Sequence, residues 1–512
     1  MVLMKRLASK VWEESRILWR VSFPAILTEV FQFSIGFVTT AFVGHLGEVE
    51  LAAVTVVENI VEGFAFGVLV THTHLHCNSG SHYQERSLSA VTRTAQFGMS
   101  SALDTLCGQA VGAGRLDALG VYTQQSWIVC GATALALAPA YVFAAPVLGS
   151  LLRQPADVAA AAGPYARWAA PRLLAHAANY PLLKFFQAQS KVWPVAAISG
   201  TALAVHAALT YAAVGRLGLG LRGAAVAGNV SHWLVFAAQF VYMVHGGRFA
   251  DSWKGFSTRA FSNLGAFVKL SFVSAAMICL EDWYYTALLI LVGLLKNAKL
   301  QLYIMSICIN YEFWTMMVAL GFSTAISVRV SNELGANRPK AAQFSVVVAV
   351  STSALIGAVF MAIFLIWRTS LPKFFSDSQE VIHGASKLGY VLAVTVFLST
   401  IWPLLSGVAV GSGLQVLVAF INVGCYYLVG IPLGVLFGFK LKLGALGIWI
   451  GMLTGTLLQI AILLFVIIRM KWEKQAMMAA ARIREWGGKN NEDQELIASN
   501  INDQLGHVDS GN

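Results

Sequence analysis

The sequence predicts an all-α polytopic membrane protein with twelve transmembrane helices in two pseudo-symmetric six-helix lobes. Composition, the spacing of apolar runs and an internal repeat each point there. Of 512 residues, 57% are hydrophobic and 12% charged, with a mean hydropathy of +0.67; a soluble chain carries about twice that charge. The same figures exclude disordered and fibrous classes, and six cysteines are too few for a disulfide scaffold. At about 20 apolar residues per crossing, the chain has room for roughly twelve spans.

The first span, 17 to 43, is too long for the apolar core of a signal peptide and reads as an uncleaved anchor. The second, 51 to 112, is interrupted by a polar stretch. Spans three to six cover 121 to 146, 158 to 182, 193 to 214 and 223 to 245. Spans seven to twelve cover 264 to 295, 300 to 330, 341 to 367, 381 to 408, 412 to 438 and 445 to 469. Gly, Pro and single charges punctuate them. The implied organisation is an N-terminal segment (1–16), an N-lobe (17–245), an inter-lobe loop (246–263), a C-lobe (264–470) and a tail (471–512).

Net charge is +10, but the tail from Lys471 holds five basic and seven acidic residues, so the surplus belongs to the loops. Lys5, Arg6, Lys10, Arg16 and Arg20 crowd the first span, and Arg248, Lys254, Arg259 and Lys269 mark the inter-lobe region. Basic short loops face the cytosol, so an even number of crossings places both termini there. The charge calls for a bilayer and not for nucleic acid. Cys77, Cys107, Cys130, Cys279, Cys308 and Cys425 form no CxxC pair, and all but Cys77 read as small packing residues.

The repeat aligns Arg20-Val21-Ser22-Phe23 with Lys269-Leu270-Ser271-Phe272 and Val43-Gly44 with Val292-Gly293, at an offset of 249. Gly98-Met99-Ser100-Ser101-Ala102 aligns with Gly321-Phe322-Ser323-Thr324-Ala325, and Gly112-Ala113 with Gly335-Ala336, at 223. A chance match in apolar sequence is the competing explanation. Two such copies are a transporter architecture, with the solute site near the midplane between them. The change of offset leaves 26 surplus residues in the first copy, and Thr71 to Gln96 fits them. That segment is too polar for hydrocarbon. His72, His74, His76, His82 and Cys77 within it fit no rigid metal site, and no metal is expected. A translated intron or faulty gene model is the first reading, an extruded loop the second.

Acids inside apolar runs are the strongest functional pointers, because each costs about 2.5 to 3.5 kcal/mol at the bilayer centre on insertion scales. Glu281 lies near the middle of span seven; its repeat equivalent is Gln32. One half thus offers a titratable group where the other offers an uncharged one, as suits proton binding and release. Asp282 is secondary, about 100° round the helix. Glu58 and Glu62 share a face, Glu312 is the other candidate in span eight, and Asp104 is expected to be an exposed acid near a helix end. No Asp or Glu lies between Glu380 and Glu473, so spans ten to twelve supply no carboxylate.

Tyr285, Tyr303, Asn310, Tyr311, Ser399, Asn422 and Tyr426, with Gln32, offer hydroxyl, amide or aromatic surfaces to a planar, partly polar solute; interfacial belts and core packing are the competing explanation. Pro24, Pro194, Pro403 and Pro432 lie in or beside helices, where kinks permit bending. No GxxxxGK[ST] is present, so no nucleotide-driven step or cofactor is expected, and an ion gradient is the energy source.

Cys107-Gly108-Gln109-Ala110-Val111-Gly112-Ala113 resembles the CGQAxGA motif ending helix 2 of plant multidrug and toxic compound extrusion (MATE) transporters. Arg329-Val330-Ser331-Asn332-Glu333-Leu334-Gly335-Ala336 resembles their RVSNELGA motif ending helix 8. Gly44-His45-Leu46-Gly47, Cys279-Leu280-Glu281 and Tyr426-Tyr427-Leu428-Val429-Gly430-Ile431-Pro432 support the likeness, which runs from about Trp12 to Trp472. The resemblance implies the MATE fold, proton-coupled antiport of organic solutes and proton binding at Glu281. The chain is most similar to the flavonoid-type, transparent-testa-like branch, which implies flavonoid glycosides, other secondary metabolites or xenobiotics as cargo. It also implies a vacuolar or plasma membrane setting, and a monomer is expected. It departs from the family at Asp104 (usually Glu), at Ser399 and Thr39, where some members carry acids, and at Leu414 in Gly413-Leu414-Gln415.

The competing functions are a membrane-embedded acyltransferase-like enzyme with His176 or His206 as base, a passive channel, and a MATE product inactivated by the helix 2 insertion. Sequencing the transcript from Val70 to Phe97 is expected to join those residues directly; an uninterrupted coding stretch between them would establish the segment as part of the protein.

Overall fold

Inside a bilayer no water satisfies backbone N–H and C=O groups, so each apolar run closes its hydrogen bonds within itself. A computed structural model describes residues 2–57, 91–151, 155–295, 298–376 and 378–486, and no strand occurs among them. The principal helices are α1 (Val2–Gly44), α2a (Glu48–Val56), α2b (Val91–Gly112), α3 (Asp117–Val142), α4 (Ala156–Ala188), α5 (Val192–Arg216), α6 (Gly220–Val244), α7 (Leu264–Gly293), α8 (Ala298–Gly335), α9 (Pro339–Ile366), α10 (Gln379–Ser412), α11 (Gln415–Lys440), α12 (Gly444–Arg469) and α13 (Trp472–Trp486).

Ten of these are long and apolar enough to cross a membrane: α1, α3 and α5 to α12. The long helix α4 is more polar, with Asp157, Arg167, Arg172 and Lys184, but Arg172 and Lys184 are buried against neighbouring helices. Residues 2–16 are not a separate segment: they continue α1, whose 43 residues span about 65 Å. That exceeds the hydrocarbon thickness of about 30 Å, and Met4 and Trp12 stand exposed at its start. The tail likewise begins with a helix, α13. Of the surplus segment, residues 91–96 form the start of α2b; the remainder, with its histidines, lies outside the described residues, as do Glu58 and Glu62 before it.

Two apolar cores form, one from each half, and they exchange material symmetrically. Leu18, Val21 and Ala25 of α1 are buried in the C-terminal core; Phe267 and Ala275 of α7 are buried in the N-terminal one. Leu18 and Phe267 are related by the offset of 249. The helix contacts repeat as well. Gly98 of α2b packs on Ala275 of α7, and Gly321 of α8 packs on Ile26 of α1. These pairs interchange under the two offsets, which removes chance matching as an explanation of the repeat.

The two halves meet most closely where α2b crosses α8. A Cβ at Gly112 would strike the carbonyl of Asn332, and one at Gly335 would strike the carbonyl of Gln109. The repeat interchanges these contacts too, so the CGQAVGA and SNELGA stretches form one self-complementary interlock. Thr105 Oγ1 donates to Val410 O (2.5 Å) and Gln415 Nε2 to Thr105 Oγ1 (2.7 Å), which bonds the interlock to α10 and α11. Across the same face α13 packs on α2b, α8 and α9, and Arg482 donates to Ser412 O (3.2 Å) at the end of α10.

Gly335→Ala is expected to destabilise the protein by about 1 to 3 kcal/mol through overpacking, lowering the detergent-phase Tm. Gly131→Ala, whose added methyl would meet nothing within 4 Å, is expected to leave Tm unchanged or slightly raised.

Candidate functional site

Span seven places Glu281 on α7, 9% exposed, opposite α11 and α12. Asn422 Nδ2 donates to Glu281 Oε1 (2.8 Å), Gln459 Nε2 donates to Asn422 Oδ1 (2.8 Å), and Tyr426 OH donates to Gln459 Oε1 (2.6 Å). With the two amides in this orientation the buried chain delivers its last hydrogen to the carboxylate, and turning both over would reverse it. Tyr426 and Tyr427 lie in the π-helical stretch Val423–Gly430 of α11 and diverge as helix neighbours do: Tyr426 reaches α12, while Tyr427 OH donates to Leu280 O on α7 (2.9 Å). Tyr284 stacks on Tyr426 at 4.2 Å between ring centroids, and its hydroxyl donates to Met452 O (2.9 Å). Gly430 and Gly455 leave room for that hydroxyl.

One residue further along α7 a second carboxylate is held. Glu312 Oε1 accepts from Tyr285 OH (3.1 Å) and from Ser399 Oγ (3.0 Å) of α10, and Glu312 is 4% exposed. Hydroxyls can rotate to donate or accept, so this setting accommodates both protonation states without rebuilding. A cleft with about 180 Å³ of empty space opens beside it, lined by Tyr285, Ile309, Glu312, Phe313 and Met316. A neighbouring cleft of about 250 Å³ is lined by residues including Cys308, Tyr311 and Arg368. Both are small, open-sided clefts, well short of the enclosed space that a site for a drug-sized ligand takes up.

The predicted residues therefore separate into groups. Asn422 and Tyr426 converge on Glu281, and Tyr285 and Ser399 on Glu312. Tyr303 OH donates to Phe375 O (2.9 Å) and Tyr311 OH to Leu371 O (2.9 Å), so both anchor the α9–α10 connection. Asn310 Nδ2 turns back to Ser306 O of its own helix (2.8 Å). Gln32, on α1, has no hydrogen-bond partner for its buried Nε2 among the described residues. The Asp282 side chain lies outside them.

The N-terminal half handles charge differently. Asp104 is not an exposed acid: it is 8% exposed, and Lys184 Nζ donates to its Oδ2 at 2.8 Å. Its partner lies 80 residues away on α4, out of reach of any local pattern. Glu29, near the middle of α1 and within electrostatic range of Lys184, went unremarked in the sequence although it is an acid inside an apolar run. Gln459, central to the Glu281 chain, carries no sequence signal beyond being an amide in an apolar helix. His206, buried between Thr39 Oγ1 (3.0 Å) and Ser231 Oγ (2.9 Å), and His176, stacked on Tyr180 and edge-on to His232, are packed into the N-terminal helices.

A sequence profile of the MatE family matches residues 24–73, 86–212 and 274–436; the unmatched stretch 74–85 falls within the surplus segment. Protein DETOXIFICATION 29 of Arabidopsis thaliana is 45% identical over 484 residues, covering 94% of this chain and 91% of its own. Protein DETOXIFICATION 30 of the same plant is 44% identical, with coverage of 93% and 90%. Among solved structures, the eukaryotic MATE transporter AtDTX14 superposes with a TM-score of 0.81 at 32% identity, covering 93% of this chain and 100% of that one. The Vibrio cholerae MATE transporter VcmN shares the fold, with a TM-score of 0.76 at 16% identity and coverage of 91% and 99%.

Gln459→Leu is expected to strand the buried Asn422 Oδ1 and Tyr426 OH at about 1 to 3 kcal/mol each. The Tm of the purified protein should fall accordingly, and Gln459→Glu should recover part of the loss at acidic pH, where the introduced carboxyl can carry a hydrogen.

Proposed function

The chain belongs to the MATE family of membrane transporters, and from that premise we propose that it is a proton/organic-solute antiporter with Glu281 as the proton carrier. Family members are transporters and not enzymes, so the acyltransferase-like reading is set aside. The observation that carries the proton assignment is the buried chain from Tyr426 through Gln459 and Asn422 to Glu281. In this orientation the chain donates to Glu281 and favours the ionised carboxylate. A protonated carboxyl is a weaker acceptor, so loading a proton either turns both amides over or weakens the hold of α11 and α12 on α7. Glu312 is another buried acid of the same half, and its hydroxyl partners let it exchange a proton by turning singly.

Solute release then follows from competition between proton and cargo for one set of helix positions as the lobes rock. Aromatic and hydroxyl surfaces around Tyr285, Tyr426 and Ser399 suit planar, partly polar cargo, and flavonoid glycosides, other secondary metabolites and xenobiotics are the proposed class. The face bearing α13, the inter-lobe loop and both ends of the described chain is assigned to the cytosol, because Lys5, Arg6, Lys10, Lys471 and Lys474 cluster there. The membrane is proposed to be vacuolar or plasma, with the chain acting as a monomer and the proton gradient as its energy source.

Reconstituted in liposomes, the protein is expected to accumulate ethidium or quercetin 3-glucoside only under an imposed pH gradient. Glu281→Gln should abolish that accumulation; undiminished transport by the variant would sink the assignment, and uptake that ignores the gradient would favour a passive channel.

A further inference from the structure

The RVSNELGA stretch carries two charges that packing alone does not explain. Arg329 lies on α8 with its side chain 22% exposed, and it forks onto Glu14 of α1, whose side chain is 9% exposed. Nε donates to Oε1 at 2.7 Å and Nη2 to Oε2 at 3.0 Å. Ser345 Oγ of α9 adds a third bond to Glu14 Oε1 at 2.7 Å. The remaining guanidinium nitrogen, Nη1, donates to Glu333, one turn along α8. A helix of the N-terminal half is thus clasped, by a bidentate charge pair, to two helices of the C-terminal half, on the same face as the glycine interlock.

The clasp breaks the pseudo-symmetry that the rest of this face obeys. Under the repeat offsets Glu14 corresponds to Asn263, Arg329 to Leu106 and Glu333 to Ala110. No equivalent charge pair can form on the other side. Glu333 moves with Arg329 because both lie on α8, so separating the lobes exchanges Glu14 for water without leaving the guanidinium uncompensated. That combination makes a contact that is strong when closed and releasable when opened.

We infer that Glu14 and Arg329 are positioning residues that latch the cytosolic face closed and so set how often the transporter opens toward the cytosol. The inference rests on the alternating-access reading above for its transport readout. A site that is competent only a fraction of the time binds with an apparent affinity reduced by that fraction. Loss of the latch therefore tightens apparent binding from the cytosolic side and weakens it from the opposite side.

In liposomes of sorted orientation, Glu14→Gln is expected to lower the cytosolic-side KM for ethidium about fivefold and to raise the KM on the other face. Glu14→Asp should keep wild-type values, and Ser345→Ala should shift both in the same direction as Glu14→Gln by less. General damage to the fold would reduce kcat without lowering KM. Hydrogen exchange in nanodiscs reads the latch without transport: Glu14→Gln should speed exchange in residues 105–113 and 328–336, and Glu14→Asp should not. An unchanged or raised cytosolic-side KM together with unchanged exchange in Glu14→Gln would overturn the latch. Loss of gradient-driven uptake in the wild type would overturn the antiport reading instead, with the exchange measurement still deciding for or against the latch.

Discussion

Backbone against backbone at the α2b–α8 crossing is the constraint on which the rest of the molecule depends. Gly112 abuts the Asn332 carbonyl and Gly335 the Gln109 carbonyl, so neither helix can carry a side chain there. Without a hydrophobic drive between helices in lipid, such close van der Waals approach is what holds transmembrane helices together. The contact is its own image under the repeat, so each lobe contributes to it equally. Nearby, Thr105 and Gln109 donate to carbonyls of α10, and Gln415 of α11 donates back to Thr105, because the glycines have brought those elements within reach.

Charge is distributed on the opposite principle. The backbone contacts are symmetric, but the acids are not. In the N-terminal half Asp104 is paired with Lys184, which also lies within electrostatic range of the buried Glu29. In the C-terminal half Glu281 and Glu312 are met by amides and hydroxyls, which hydrogen-bond a carboxylate without cancelling its charge. The two settings also differ from each other: the Asn422 and Gln459 amides must turn over together to reverse their chain, whereas the Tyr285 and Ser399 hydroxyls turn singly.

Much of this was legible in the sequence, and the exceptions have a common cause. Glu281 stands out because an acid near the middle of an apolar run is conspicuous, and Asn422 and Tyr426 are visible as polar groups in span eleven. Asp104 was misjudged because its exposure depends on Lys184 of α4. Tyr303 and Tyr311 carry the composition signal of cavity residues whether an aromatic hydroxyl faces a solute or caps a loop carbonyl; both hydroxyls bond the α9–α10 connection, and Tyr311 also lines a cleft. Gln459 joined the network only through the approach of α12 to α11. In each case the deciding partner lies on another helix.

The sequence by itself determined the environment, the number of crossings and the twofold plan, because hydrophobic run length and a repeat are local or self-comparing properties of a chain. It also marked Glu281, since an acid placed mid-way along an apolar run can be read from the run alone. Only the tertiary structure decided which polar groups meet. It paired Asp104 with Lys184, Glu312 with Ser399, and Glu14 with Arg329 across 315 residues. Whether a buried charge is neutralised, hydrogen-bonded or clasped depends on contacts within about 3 Å, and those distances are set by helix packing.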